Sequence, residues 1–128
     1  MIMRVFKNKW FNHWARREAI SDAALLKAAE EIVNGQVEAD LGGCLFKKRL
    51  PRLGGGKSGG YRVLVGYKRP DAERLIFLYA FAKNNRANIS DKEKAALSIV
   101  AESFVTSSDE YVSVLLSSEK ILEVKINE

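Results

Sequence analysis

The sequence is poor in the side chains on which metal sites and many hydrolases depend. Its 128 residues include one histidine, His13, and one cysteine, Cys44. These are too few for a zinc site of histidine and cysteine, for a mechanism that uses two histidines, or for an internal disulfide. No Ser-His-Asp arrangement of the acyl-transfer type is evident. We therefore expect no metal and no other cofactor, and we assign His13 to an ordinary surface or packing role.

Long apolar stretches are also missing. No run approaches the roughly 18 to 20 apolar residues that a membrane-spanning helix requires. The first residues lack the continuous apolar core and the cleavage site of a secretory signal. The composition, with 47% hydrophobic and 29% charged residues, is typical of a soluble globular protein, and a lone cysteine suits a reducing compartment. We expect one cytoplasmic domain that spans residues 1–128.

Acidic residues are absent from one long stretch. Between Leu41 and Pro70 there are eight lysines and arginines, with neither aspartate nor glutamate. The other 98 residues contain 13 basic and 16 acidic groups, so the net charge of +5 is a local excess on a mildly acidic body. A field of this shape attracts a polyanion at one place. The stretch is therefore the first candidate for a functional surface.

Apolar periodicity predicts a short strand at the start of the chain and then two helices. The first helix has Trp10, Phe11 and Trp14 as an aromatic inner face, which we assign to the core. The second helix is capped by Ser21 or Asp22 and is apolar at helical spacing as far as residue 33. Two consecutive helices with opposing apolar faces predict a helical hairpin that packs on a sheet.

Three strands are expected next, at 44–50, 61–68 and 74–81, after a polar link at 40–43. The third is apolar on both faces and should be central in the sheet. Ser90 and Glu93 then form a capping box before a helix, and Ser107 with Glu110 opens a shorter segment that could be a helix or a strand.

A last strand is predicted within residues 121–126, where apolar and charged residues alternate. The fold class is therefore α+β, with an antiparallel-dominated sheet, an N-terminal helical hairpin and C-terminal helices. We expect the helices on one face of the sheet and the basic groups on the other face or its rim.

The segment Gly54 to Ser58, Gly-Gly-Gly-Lys-Ser, resembles a phosphate-binding loop but lacks its context. The nucleotide motif requires a glycine at position 51, but this chain has Pro51 there. The motif also requires a helix directly after the loop, whereas a strand is predicted here. Nucleotide hydrolysis is thus disfavoured. The loop could still contact phosphates through backbone N–H groups and Lys57, or it could be a simple hairpin connection.

An enzyme built from this chain would work mostly with lysine, arginine and tyrosine. Such groups suit metal-independent RNA cleavage by the neighbouring 2′-hydroxyl, because arginine can hold the phosphate and stabilise its developing charge. Arg62 lies within an otherwise apolar strand, so it should face a basic groove or pair with an acid such as Glu73 or Glu102. For Lys48, Lys68 and Arg69, a role in keeping a strand edge soluble is the alternative.

Three motifs give the chain a resemblance to the RelE/HigB superfamily of bacterial type II toxin-antitoxin toxins. They are Lys47-Lys48-Arg49, Gly56-Lys57-Ser58-Gly59-Gly60-Tyr61-Arg62 and Phe81-Ala82-Lys83-Asn84-Asn85-Arg86. The similarity covers about residues 3–100, which leaves 101–128 as a C-terminal extension. It implies a RelE-like fold and a toxin that cuts messenger RNA on the ribosome, inhibits translation and is held inactive by an antitoxin, expected to be a DNA-binding protein encoded by an adjacent gene.

The resemblance also implies which residues act, by position in the motifs. Arg62 and Lys57 would grip the scissile phosphate, Lys47 or Arg49 would handle the 2′-hydroxyl proton, and Lys83 or Arg86 would serve the leaving oxygen. Further contacts to RNA are expected from a second set of residues: Lys48, Arg52, Ser58, Tyr61 and Lys68. The chain departs from better-known RelE-type toxins, which have an arginine after the lysine of the last motif and often a tyrosine in the following helix, where this chain has Asn84 and no tyrosine.

Two other functions compete with the nuclease. The same fold could inhibit DNA gyrase, as ParE-type toxins do, or bind nucleic acid without cutting it. Alternatively, the chain could be an interaction domain with an ordinary basic surface. Charge alone does not separate these possibilities, whereas RNA cleavage and growth arrest on expression do.

Overall fold

A computed structural model describes residues 3–52, 60–68 and 73–125, which form four helices and six strands. Lys57, Ser58 and Arg69 lie outside the described residues. No described helix is long and apolar enough to cross a membrane. The elements in chain order are β1 Arg4–Asn8, α1 Lys9–Arg17, α2 Asp22–Val33, β2 Ala39–Gly42, β3 Leu45–Leu50, β4 Tyr61–Tyr67, β5 Arg74–Ala82, α3 Asp91–Val105, α4 Asp109–Ser117 and β6 Ile121–Glu123.

The six strands form one mixed sheet in the order β2-β3-β4-β5-β1-β6. Only β1 and β5 pair in parallel among the described strands, and the other four pairings are antiparallel. The α+β class and the antiparallel-dominated sheet are therefore confirmed. The prediction that β5 lies inside the sheet is also confirmed, because it pairs with β4 on one side and β1 on the other.

Helices cover both faces of this sheet. On one face, the hairpin face, α1 and α2 pack against Val63 and Val65 of β4. On the opposite face, the α3 face, α3 and α4 pack in a separate core that contains Leu64. The expectation of helices on one face only was wrong, because every residue of β4 is buried and a strand buried on both sides needs two covering layers.

The segment predicted as a polar link forms β2 instead. It turns into β3 through Gly43 and Cys44, which have φ values of 60° and 64°. Two consecutive residues with positive φ make the tight turn whose twist matches a β-hairpin. The sequence signal was weak because cysteine rarely adopts this conformation.

The helix boundaries agree with prediction except near the C-terminus. The Ser90–Glu93 capping box is present in full. The ambiguous segment is the helix α4, but its cap is Ser108, so the predicted Ser107–Glu110 box was wrong. In α1, Phe11 and Trp14 are buried as expected, whereas Trp10 remains 43% exposed and does not belong to the core.

Close packing of α3 on the sheet depends on a glycine in β4. A Cβ atom added at Gly66 would lie 3.0 Å from the side chain of Ile76 and 3.1 Å from the Cβ of Ala101. Both neighbours are buried, so neither has space to move away. Gly66 therefore sets the distance between β4 and α3.

We predict that Gly66→Ala lowers the free energy of unfolding by about 1–3 kcal/mol, the usual cost of overpacking a core. Urea denaturation measures this directly. The matched test is the double variant with Ala101→Gly, which removes the methyl group that would clash. The double variant should lose less stability than the two single variants together; strict additivity would show that the Gly66–Ala101 contact is not the cause.

Candidate functional site

Strand alternation divides the basic residues of β3 and β4 between the two faces of the sheet. Phe46 and Leu50 join the core of the hairpin face, and Leu45 joins that of the α3 face. Lys47 and Arg49 therefore lie on the α3 face. Arg62 lies on the same face, because it alternates with Tyr61 and Val63 of the hairpin face.

Two arginines stand directly opposite each other on this face. Arg49 of β3 is the register partner of Arg62 of β4, and Arg62 is in turn opposite Phe81 of β5. Side chains at directly opposite positions have Cβ atoms about 4.5–5.5 Å apart, and like charges there are destabilising. The arrangement thus concentrates positive charge at a cost in stability.

Arg62 and Lys47 share an acidic partner, Glu38, which comes from the segment before β2. Nε of Arg62 donates to both carboxylate oxygens of Glu38, at 2.8 and 3.0 Å, and Nζ of Lys47 lies 3.5 Å from Oε2. Arg62 is only 6% exposed. Burial acts to raise the pKa of Glu38, but the hydrogen bond from Arg62 and the charges of Arg62 and Lys47 outweigh it and lower the pKa overall.

Sequence reasoning missed Glu38. The acids suggested for Arg62 were Glu73 and Glu102, and the acid-free stretch was counted from Leu41 onward. Glu38 lies just outside that stretch, and the backbone brings it in: its N–H donates to the carbonyl of Lys47 at 2.8 Å. The strand β2, which continues this pairing, was itself not foreseen.

Arg86 joins the cluster from the segment after β5. Its Nε donates to the carbonyl oxygen of Asn88 at 3.0 Å, while the side-chain oxygen of Asn88 accepts from Lys47 at 3.4 Å. Its guanidinium also lies over the ring of Phe81, at 5.5 Å from the centroid. We refer to Lys47, Arg49, Arg62 and Arg86 as the basic cluster.

Glu93, the residue that closes the capping box of α3, holds Arg86 in place. The two terminal nitrogens of Arg86 donate to the two oxygens of Glu93, at 2.6 and 3.2 Å. Together with the backbone N–H of Ser90, this lowers the pKa of Glu93 to about 2. Glu93, at the start of α3, therefore holds the guanidinium of Arg86 in the cluster.

Lys83 lies beside the cluster at the end of β5. Its backbone N–H donates to the carbonyl of Gly60 at 3.0 Å, which places it next to the start of β4. Its exposed side chain donates to the carbonyl of Ala87 at 2.8 Å. Lys83 thus neighbours the basic cluster without an acidic partner among the described residues.

Four other predicted residues are not brought into the cluster: Lys48, Lys68, Arg52 and Tyr61. Lys48 is buried on the hairpin face, where it pairs with Glu31 at 3.0 Å and donates to the carbonyl of Gln36. Lys68 follows the far end of β4, six residues from Arg62 and thus roughly 20 Å away. Both positions favour structural or surface roles.

Tyr61 and Arg52 form a pair on the hairpin side of the sheet. The hydroxyl of Tyr61 donates to Glu18 at 2.7 Å, and burial together with this bond raises the pKa of the hydroxyl. The guanidinium of Arg52 lies 5.6 Å from the centre of the Tyr61 ring. Because Tyr61 belongs to the core of the hairpin face, this pair is not part of the group on the α3 face.

The cluster has the chemistry of an anion site. Guanidinium and ammonium groups bind phosphate oxygens through charge-assisted hydrogen bonds. The carboxylate of Glu38 accepts from the same donors that a phosphate would use. Among the described residues, no group of three or more histidines, cysteines, aspartates or glutamates could hold a metal ion.

From the Arg86–Glu93 pair we predict how the titration of Glu93 and the stability of the fold depend on pH. The carboxyl of Glu93 should titrate near pH 2 in side-chain NMR spectra. Because its folded pKa lies below the ordinary 4.5, the pair contributes stability above pH 4.5 and loses it as the pH falls toward 2.

In Arg86→Ala the pKa of Glu93 should rise but stay below 4.5, because the Ser90 N–H still donates. Glu123, whose low pKa depends on Arg4, is the control and should not move. A titration of Glu93 unchanged by the substitution would contradict the described pairing.

Comparison with known proteins identifies the family. A sequence model described as "RelE toxin of RelE / RelB toxin-antitoxin system" matches residues 3–124, a range that includes every element from β1 to β6. No match with a curated protein or a solved structure reached significance. The matched range extends beyond the residues that carry the three motifs. The chain therefore belongs to the RelE toxin family, the toxins of toxin-antitoxin systems, and an antitoxin is its implied partner.

Proposed function

We propose that this toxin is an endoribonuclease that cuts messenger RNA on the ribosome and so inhibits translation. The observation that supports this most is the direct opposition of Arg49 and Arg62 on neighbouring strands, with Lys47 on the same face. A like-charge pair lowers stability, so its presence is best explained by an anion that binds between the two side chains. The phosphate of an RNA backbone is such an anion.

In this proposal the phosphate takes over the donors that now hold Glu38. Arg62 and Arg49 bind the phosphate oxygens and stabilise the charge that develops as the 2′-oxygen attacks. The carboxylate of Glu38, released from Arg62 but still beside Lys47, accepts the 2′-hydroxyl proton. Glu38 suits this role better than Arg49, because arginine does not give up its proton in proteins.

The leaving group requires a proton donor on the other side of the phosphorus. The 2′-oxygen bond to phosphorus forms while the bond to the 5′-oxygen breaks, and the ammonium of Lys83 gives its proton to that oxygen. Lys83 suits this role better than Arg86, whose guanidinium retains its proton and is held by Glu93. The products are a 2′,3′-cyclic phosphate and a free 5′-hydroxyl, with no metal ion involved.

The antitoxin would inhibit the toxin at the same place. A segment that carries carboxylates could bind Arg49 and its neighbours and exclude RNA. Gyrase inhibition remains the competing function, and the two are separated by whether new 5′ ends appear on messenger RNA during growth arrest.

We predict that Arg49→Gln reduces messenger RNA cleavage by about 100-fold or more, the usual effect of removing one donor to a charged transition state. The same variant should be as stable as the wild type or more stable by up to about 1 kcal/mol, because it removes a like-charge pair. Primer extension on ribosome-bound messenger RNA measures the first effect and urea denaturation the second.

Lys68→Gln is the control, since it removes the same charge from an exposed position at the far end of β4. It should cleave like the wild type. Full cleavage by Arg49→Gln would contradict the proposal, and growth arrest by the wild type without new 5′ ends would favour gyrase inhibition instead.

A further inference from the structure

A cavity of about 410 Å³ lies at the end of the sheet, between α1 and the segment that follows β5. The chemistry proposed above assigns no role to this cavity. The residues that line it and carry the argument are Trp10, Arg17, Arg52, Asn84, Asn85 and Arg86. Its volume is within the range of about 300–1,000 Å³ that is typical of small-molecule sites.

Trp10 is the unusual residue of this cavity. It is 43% exposed, although Phe11 and Trp14 of the same helix are buried. Its indole stacks on the ring of Tyr79, with centroids 4.6 Å apart and planes 28° from parallel. Tyr79 thus fixes the indole, and the exposed part of the indole borders the cavity as a rigid aromatic surface.

The polar lining of the cavity is suited to a nucleotide. Asn84 and Asn85 supply amides, which can both donate to and accept from the edge of a base. Within the described part of the chain, no side-chain hydrogen bond engages either amide. Arg17 and Arg52 add positive charge for a phosphate. Glu18, the one acid among the described lining residues, accepts from the hydroxyl of Tyr61.

Arg86 connects this cavity to the basic cluster. It lines the cavity, and it bonds to Asn88, which accepts from Lys47 of the cluster. Its NH1 also lies 3.4 Å from the hydroxyl of Tyr79, the residue that supports Trp10. Arg86 is thus shared by the basic cluster and the cavity, so an RNA chain bound at the cluster can extend toward the cavity.

We propose that this cavity is a nucleobase-binding subsite, in which a base of single-stranded RNA stacks on Trp10 and its edge is bound by Asn84 and Asn85. Purines should bind more tightly than pyrimidines, because two fused rings overlap the indole more fully. The inference rests on the proposed RNA substrate. In this inference, stacking of a base on Trp10 determines which position in the RNA is cut.

Binding can be measured without cleavage. The chain has two tryptophans, and Trp14, which also lines the cavity, is 6% exposed. Trp14→Phe keeps an aromatic ring at that position and leaves Trp10 as the sole tryptophan, whose fluorescence is excited selectively. Adenosine monophosphate should quench this fluorescence saturably, and uridine monophosphate should bind more weakly. No quenching at millimolar adenosine monophosphate, or equal binding of the two nucleotides, would overturn the inference.

A second experiment tests the role of Trp10 in the whole toxin. In Trp10→Leu, adenosine monophosphate binding followed by NMR should weaken about 10- to 100-fold, whereas Trp10→Phe should retain most of it. Trp10→Leu should also raise KM for RNA and change which positions are cut. Unchanged KM and cut sites would refute the subsite while leaving the nuclease intact; nucleotide binding by a toxin that cuts no RNA would instead refute the nuclease.

Discussion

Burial of β4 on both faces is the constraint on which the rest of the structure depends. All seven of its residues are buried, although it carries a charged side chain at Arg62. The helical hairpin covers one face, and α3 covers the other by packing on Gly66, four residues along the strand. Arg62 is only 6% exposed, so its charge is balanced by the acidic side chain of Glu38 rather than by solvent. The basic cluster therefore lies on the α3 face, toward the opposite end of β4 from Gly66.

The ion pair of Arg62 with Glu38 then has two consequences. A buried guanidinium without a partner would be strongly destabilising, so the bond to Glu38 offsets the burial of Arg62 in the folded protein. The same carboxylate occupies donors that suit a phosphate, so in the proposed function the binding of RNA exchanges one anion for another instead of adding charge to a closed core. On the proposed mechanism, this exchange also releases a carboxylate next to the 2′-hydroxyl.

Much of the fold could be predicted from local patterns. The two N-terminal helices, the strands β3 to β5 and the capping box of α3 follow from periodicity and from side chains that bond within a few residues. The failures have two causes. β2 forms a local hairpin with β3, but its turn places a cysteine at positive φ, a conformation that cysteine rarely adopts. The exposure of Trp10 is nonlocal, because it depends on β5, which supplies Tyr79 as the stacking partner, and no short window of the sequence contains both residues.

The sequence by itself determined the family, the α+β class and the concentration of positive charge in residues 41–70, because motifs, periodicity and composition are properties of neighbouring residues. Only the tertiary structure decided which of these charges act together. Alternation places Lys47 and Arg49 on one face and Lys48 on the other, and the register sets Arg49 opposite Arg62. Glu38 and Arg86 reach the same place from segments 24 residues before and after Arg62. Strand pairing and packing fix these distances, and both depend on contacts between residues far apart in the chain.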